Sequence, residues 1–136
     1  MKGVTTGVMM KLQPGDDKKT LELPSQFFNT IKHKTALVIL SPDTETVRII
    51  PTESKQVFRI LITLGGKISP NFLRGLKNFF EETEIKTLFT TGLCFKEKEC
   101  VYEFYCPAEA LDKNQLMEKL EKLEDVKNLE IQTLSF

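Results

Sequence analysis

Histidine is nearly missing from this chain of 136 residues: there is one, His33, and no nucleophile or carboxylate is tied to it by spacing. Acid–base or nucleophilic catalysis therefore has no obvious starting point, and His33 reads as a surface residue closing a short helix. Net charge is missing too, because 19 Lys and Arg balance 19 Asp and Glu. No global field draws the protein onto nucleic acid or an anionic membrane, so any such contact needs a local patch. Long apolar runs are absent. Stretches such as Ala36 to Leu40 and Ile60 to Leu64 are far too short to span a bilayer, and the N-terminus carries no apolar signal core, so a cytoplasmic protein is expected. Cysteine is scarce and odd in number. Cys94, Cys100 and Cys106 fit neither zinc-ligand nor CxxC spacing; buried free thiols in a reducing compartment are expected, although Cys94 and Cys100 flank a turn across which they could approach. No metal or cofactor is expected. Gly65-Gly66 lacks the Lys and Ser/Thr that complete a phosphate loop, and there is no repeat of solenoid length and no low-complexity tract.

What is present is a balance of 40% hydrophobic and 28% charged residues, which can bury a core. A seam near residue 52 divides the chain into two small parts, expected as domains over 1–53 and 57–136. Before the seam, Gly7 to Leu12 and Thr20 to Leu23 read as extended stretches separated by the turn residues Pro14, Gly15, Asp16 and Asp17. Ser25 is an N-cap candidate for a two-turn helix over Gln26 to Lys32, with Phe27, Phe28 and Ile31 on one face. Thr35 to Leu40 and Thr46 to Ile50 follow as strands joined by a turn, and Pro51 to Gln56 reads as a linker.

After the seam, Val57 to Leu64 alternates as a central strand, and Ser69-Pro70 starts a helix whose Phe72, Leu73, Leu76, Phe79 and Phe80 form one stripe to about Glu82. Ile85 to Phe95 and Glu99 to Cys106 read as an antiparallel hairpin with a charged tip, Lys96 to Lys98. Asp112 and Gln115 have capping-box spacing ahead of a second amphipathic helix, and Leu129 to Phe136 closes the pattern as a strand. The expected class is α+β: a small β-rich N-terminal part and a C-terminal βαββαβ ferredoxin-like sandwich. With no conspicuous catalytic residue, binding, sensing or assembly is expected rather than turnover.

From Val57 to Phe136, the element order and the junction Leu64-Gly65-Gly66-Lys67-Ile68-Ser69-Pro70-Asn71 resemble an ACT domain. The resemblance implies a small ligand, usually an amino acid, cradled by Gly65, Gly66, Lys67, Ile68 and Asn71 at an interface between two domains. Backbone N–H groups at a helix start favour such a carboxylate. The first part, through Leu21-Glu22-Leu23-Pro24-Ser25-Gln26, Ala36 to Leu40 and Val47 to Pro51, is similar to the swapped-hairpin domain of AbrB-type regulators. That implies a homodimer and double-stranded DNA contacted by Lys11, Lys18, Lys19, Lys32, Lys34 and Arg48. Together the two imply a transcription regulator in which ligand binding alters how DNA-binding dimers associate. Neutral charge and the lack of arginines beside the proline-helix unit favour a second reading nearly as well, a ligand-sensing or assembly module acting on a protein partner.

Overall fold

The computed structural model describes residues 5–11, 25, 29, 31–96 and 98–136. These form an α+β structure of two antiparallel sheets and two helices. In chain order the elements are β1 (Thr6–Lys11), β2 (Thr35–Ser41), a 3-10 turn (Pro42–Thr44), β3 (Thr46–Thr52), β4 (Gln56–Leu64), α1 (Pro70–Thr83), β5 (Phe89–Phe95), β6 (Glu99–Pro107), α2 (Lys113–Glu121) and β7 (Val126–Ser135). The strand expected over Thr20–Leu23 and its turn lie outside the described residues, as do most of the helix expected over Gln26–Lys32 and the tip residue Glu97.

One sheet has the order β1-β2-β3, the other β5-β6-β4-β7, so β4 and β6 are central and β5 and β7 are edges. Each helix carries the chain over one intervening strand, which places α1 and α2 on the same face of the larger sheet. Phe58, Ile60, Ile62 and Leu64 of β4 meet Phe72, Leu76 and Phe79 of α1 and Leu116 and Leu120 of α2 there. Phe80 stands edge-on to Phe104 at 5.1 Å, and Phe72 to Tyr102 at 5.9 Å, a favoured aromatic arrangement. The caps are as the residues suggest. The Ser69 hydroxyl accepts from the Phe72 N–H at 3.1 Å, and Asp112 accepts from the N–H groups of Asn114 and Gln115 at 2.8 and 3.2 Å.

The smaller sheet packs on the opposite face of the larger one. Leu37 and Ile39 of β2 share a core with Val57, Tyr105 and Leu134, joined by Met9, Ile50, Leu88 and Phe89. Three layers result, and the order of their contacts explains why β4 and β6 are apolar on both faces. Gly7 in β1 permits the closest approach: a Cβ there would lie 2.5 Å from the Tyr105 ring and 2.9 Å from Leu134. Half of the stretch Pro51 to Gln56 is strand. β3 continues through Thr52 and β4 starts at Gln56, leaving residues 53–55 as the connection. Glu109 holds it, accepting from the backbone N–H groups of Lys55 (2.7 Å) and Gln56 (3.1 Å).

The cysteines differ from expectation. Cys94 and Cys100 are joined in a disulfide, and only Cys106 is a buried free thiol. Register explains this. Cys94 and Cys100 are directly opposed in the β5–β6 hairpin with Cα atoms 4.0 Å apart, so their side chains share a face and meet without any backbone movement. Burial pushes the Cys106 thiol up to about 12, which keeps it protonated and inert.

Candidate ligand pocket and the buried ion pair

The loop between β4 and α1 is held from three sides. The Cys100 N–H donates to the Gly65 carbonyl at 2.9 Å, Ile68 packs against the main core beside Gly92, and Ser69 is buried beneath the loop. The Ser69 hydroxyl donates to Asp125 Oδ2 at 2.6 Å, tying the loop to the turn before β7, where Asp125 adopts a left-handed φ of 70°. Between these two loops opens a pocket of about 300 Å³ lined by Gly65, Gly66, Lys67, Asp125, Val126 and Lys127.

Of the residues expected to bind a ligand, Gly65, Gly66 and Lys67 line this pocket. Ile68 is directed into the core, and Asn71 is exposed in the first turn of α1 without lining the pocket. Neither glycine has a positive φ, so the sharp turn does not depend on glycine's conformational freedom. What Gly65 supplies is space: a Cβ there would approach the Lys127 side chain at 3.7 Å, on the pocket side. Lys127 and Asp125 were not legible as partners of the loop, because they are 58 or more residues away in sequence and only the β4–β7 pairing brings them alongside. The wall then carries two ammonium groups and one carboxylate, a set able to hold a small zwitterion or anion.

Of the described residues expected to touch DNA, three lie together at one end of the smaller sheet and Arg48 lies apart from them. Lys11 lies opposite Thr35 at one end of β2, and Lys32 and Lys34 precede that same end; all three are exposed. Arg48 lies opposite Ile39, four residues further along and about 13 Å away at the usual strand rise. Its guanidinium sits over the Phe89 ring, 5.2 Å from the centroid, as a cation–π contact between the sheets. Lys18 and Lys19 lie outside the described residues. His33 is half-buried with its Nδ1 3.6 Å from Glu53 Oε1. Among the described residues no three His, Cys, Asp or Glu side chains form a metal-sized cluster, and no helix is long and apolar enough to cross a membrane.

A second polar site went unread in the sequence. Glu103 on β6 is fully buried and accepts from Arg59 Nε at 3.1 Å and Nη2 at 2.6 Å, a two-pronged pair. Its other oxygen accepts from the Thr5 N–H at 3.1 Å and from the Thr5 hydroxyl, which also meets the Tyr105 hydroxyl at 2.5 Å. Burial raises the Tyr105 hydroxyl above its ordinary range, against the lowering effect of the Thr5 contact. Arg59 reaches Gln132 at 3.4 Å as well. The signal was available: one Arg in Val57-Phe58-Arg59-Ile60-Leu61 and one Glu in Val101-Tyr102-Glu103-Phe104-Tyr105 are lone charges of opposite sign in apolar strands. With both Glu103 oxygens engaged by donors, the cluster ties Thr5, the residue ahead of β1, to the larger sheet.

Comparison with known proteins adds no family: no family model matches the chain, and neither a curated protein nor a solved structure matches it.

Proposed function

We propose that this chain is a non-catalytic sensing module that binds a small amino-acid-like or carboxylate ligand in the pocket between the Gly65–Lys67 loop and the Asp125–Lys127 turn. The observation that carries the reading is the composition of that wall. Lys67 and Lys127 line one opening from two different loops, Asp125 lines it with them, and the glycines add no side chain to it. A ligand carboxylate would be held by the two ammonium groups, and a ligand ammonium by Asp125. The β5-β6-β4-β7 order with both helices on one face supports the ferredoxin-like, ACT-like reading of this half, and with it assembly into a homo-oligomer. No turnover is needed. A ligand joining two loops 58 or more residues apart in the chain stabilises one arrangement of them, and a partner that reads the arrangement senses the ligand.

The partner is DNA in the fuller version of this reading, with the three-stranded sheet as a swapped-hairpin-like DNA-binding dimer. Lys11, Lys32 and Lys34, gathered at one end of that sheet, favour it; Arg48, engaged with Phe89, contributes less than the sequence implied. Otherwise the partner is a protein.

Thermal denaturation of the protein with each of the twenty amino acids and with simple dicarboxylates tests the pocket. A true ligand at a hundred times its dissociation constant stabilises by about 2.7 kcal/mol, a midpoint rise of roughly 10 °C for a chain of this size. The rise should disappear in Lys67→Ala and Lys127→Ala and shrink in Gly66→Val. No rise with any of these compounds refutes the ligand reading. For DNA, a duplex titrated at low salt should bind with an affinity that falls steeply as salt increases, and no binding at low salt refutes that arm.

A further inference from the structure

We propose that Cys94–Cys100 is a reversible thiol–disulfide exchange site, opened by a dithiol reductant, and that its state sets how firmly the Gly65–Ile68 loop is held. The consequence for ligand binding rests on the pocket reading above; the exchange reaction does not.

Three observations place the bond where a reductant reaches it and where opening it matters. Cys94 lies on β5, an edge strand whose outer side has no neighbour among the described residues, and Cys94 is itself exposed. Accessible disulfides are the labile ones. The β5–β6 hairpin does not depend on the bond, since seven residue pairs from Phe89↔Tyr105 to Phe95↔Glu99 hold it and the bond spans only six residues of sequence. Reduction therefore changes the hairpin end without unfolding the sheet. Cys100, by contrast, is fully buried in the main core, and its N–H donates to the Gly65 carbonyl. The same hairpin meets the loop again where Ile68 lies against Gly92, with only 3.1 Å between its Cδ1 and the place a Cβ would occupy. One residue thus joins the sulfur pair, the core and the pocket loop.

The chemistry balances with one dithiol. A thiolate of the reductant attacks Cys94 Sγ; the disulfide breaks, and its electron pair passes to Cys100 Sγ, which takes a proton. The reductant's second thiolate attacks its own sulfur in the mixed disulfide and releases Cys94 as a thiolate, which is protonated in turn. Two electrons and two protons reach the protein, and the reductant leaves as a disulfide. The two protein sulfurs must then separate from bonding distance to van der Waals contact. Cys100 is fully buried in the close-packed core, so the part of the displacement that it takes up passes to its backbone and to the Gly65 hydrogen bond.

The test follows exchange and its consequence separately. Under native conditions a dithiol should open the bond, so that an alkylating reagent labels the exposed Cys94 while the buried Cys100 and Cys106 stay unlabelled until the protein is denatured. Amide hydrogen exchange at Cys100 should then become about tenfold faster, the equivalent of roughly 1.4 kcal/mol of local opening, while exchange in β4 is unchanged. A Cys94→Ser/Cys100→Ala variant should exchange like the reduced protein with or without reductant. If the bond is reduced only together with global unfolding, or if exchange at Cys100 is the same in both states, the proposal is wrong. An amino acid that stabilises the oxidised protein should bind about tenfold more weakly after reduction. Equal affinity in the two states overturns the regulatory claim. If no amino acid binds either state, the pocket reading fails, and labelling and exchange alone decide the thiol site.

Discussion

Replacing Arg59 by Met tests whether Glu103 behaves as a buried charge. Glu103 has no exposed surface, and the Arg59 side chain retains only 15% of its own, so the solvent screening that reduces surface ion pairs to a few tenths of a kcal/mol is largely absent here. Arg59→Met takes away both guanidinium donors and leaves the carboxylate with Thr5 alone. Stranding one partner of a buried pair costs about 3–5 kcal/mol, a large share of the 5–15 kcal/mol that holds a domain together. Arg59→Met/Glu103→Leu removes the stranded charge as well as its partner. It should recover most of the loss, because apolar residues of similar volume replace buried ion pairs at little cost, and Thr5 and Tyr105 keep their hydroxyl contact. Equilibrium unfolding in urea of the wild type, both single variants and the double variant closes the cycle, with a coupling energy of at least about 2 kcal/mol expected. Hydrogen exchange gives a spatial check, since losing the Glu103 tie to the Thr5 N–H should speed exchange in β1 before β4. If Arg59→Met lowers stability by less than about 1 kcal/mol with an unchanged urea dependence, the pair is energetically a surface pair and the reasoning is refuted.

Gly7→Val should destabilise by about 1–3 kcal/mol, or prevent the sheets from closing, because its Cβ would lie 2.5 Å from a fully buried Tyr105 ring. Wild-type stability by urea unfolding, with an unchanged tyrosine near-UV circular dichroism signal, would show that the sheets are not in contact at this point. Glu109 gives a pH dependence: partial desolvation raises its carboxyl, but hydrogen bonds from its own, the Gln56 and the Lys55 N–H groups and from Ser54 outweigh this and hold it below the ordinary 4.5. A carboxylate depressed in the folded state contributes stability above its unfolded value and loses that contribution as pH falls through the folded one. The urea midpoint of Glu109→Gln should therefore lie below wild type at neutral pH and converge with it in acid well below 4.5. A gap that persists at the acid limit would mean that the Glu109 charge is not what secures the 53–55 connection.

Elements written in local residue patterns were legible. The alternation of Val57 to Leu64, the phenylalanine stripe of α1 and the caps Ser69 and Asp112 each depend on neighbours within a turn or a strand, so their order from β4 to β7 follows from the chain itself. Boundaries were less so. β7 begins at Val126, ahead of the expected Leu129, because pairing with β4 extends it through residues with no strand signature of their own. β5 begins at Phe89 instead of Ile85, because α1 ends in the left-handed residue Glu84 and the chain needs residues 85–88 to reach the sheet. Half of the pocket was legible in the same way, through the Gly65-Gly66-Lys67 loop, and the other half was not.

By itself, then, the sequence determined the order of the elements after Val57, the scarcity of histidine and the place of the Gly65-Gly66-Lys67 loop between a strand and a helix, since each rests on composition or short-range periodicity. Only the tertiary structure decided that the smaller sheet packs over Tyr105, that Lys127 and Asp125 complete the pocket, that Arg59 meets Glu103, that Arg48 is drawn to Phe89 away from the lysines, and that Cys94 is bonded to Cys100. Those outcomes depend on strand register and on the apposition of residues far apart in the chain, and register is set by the burial of whole faces at once, which no local stretch of residues specifies.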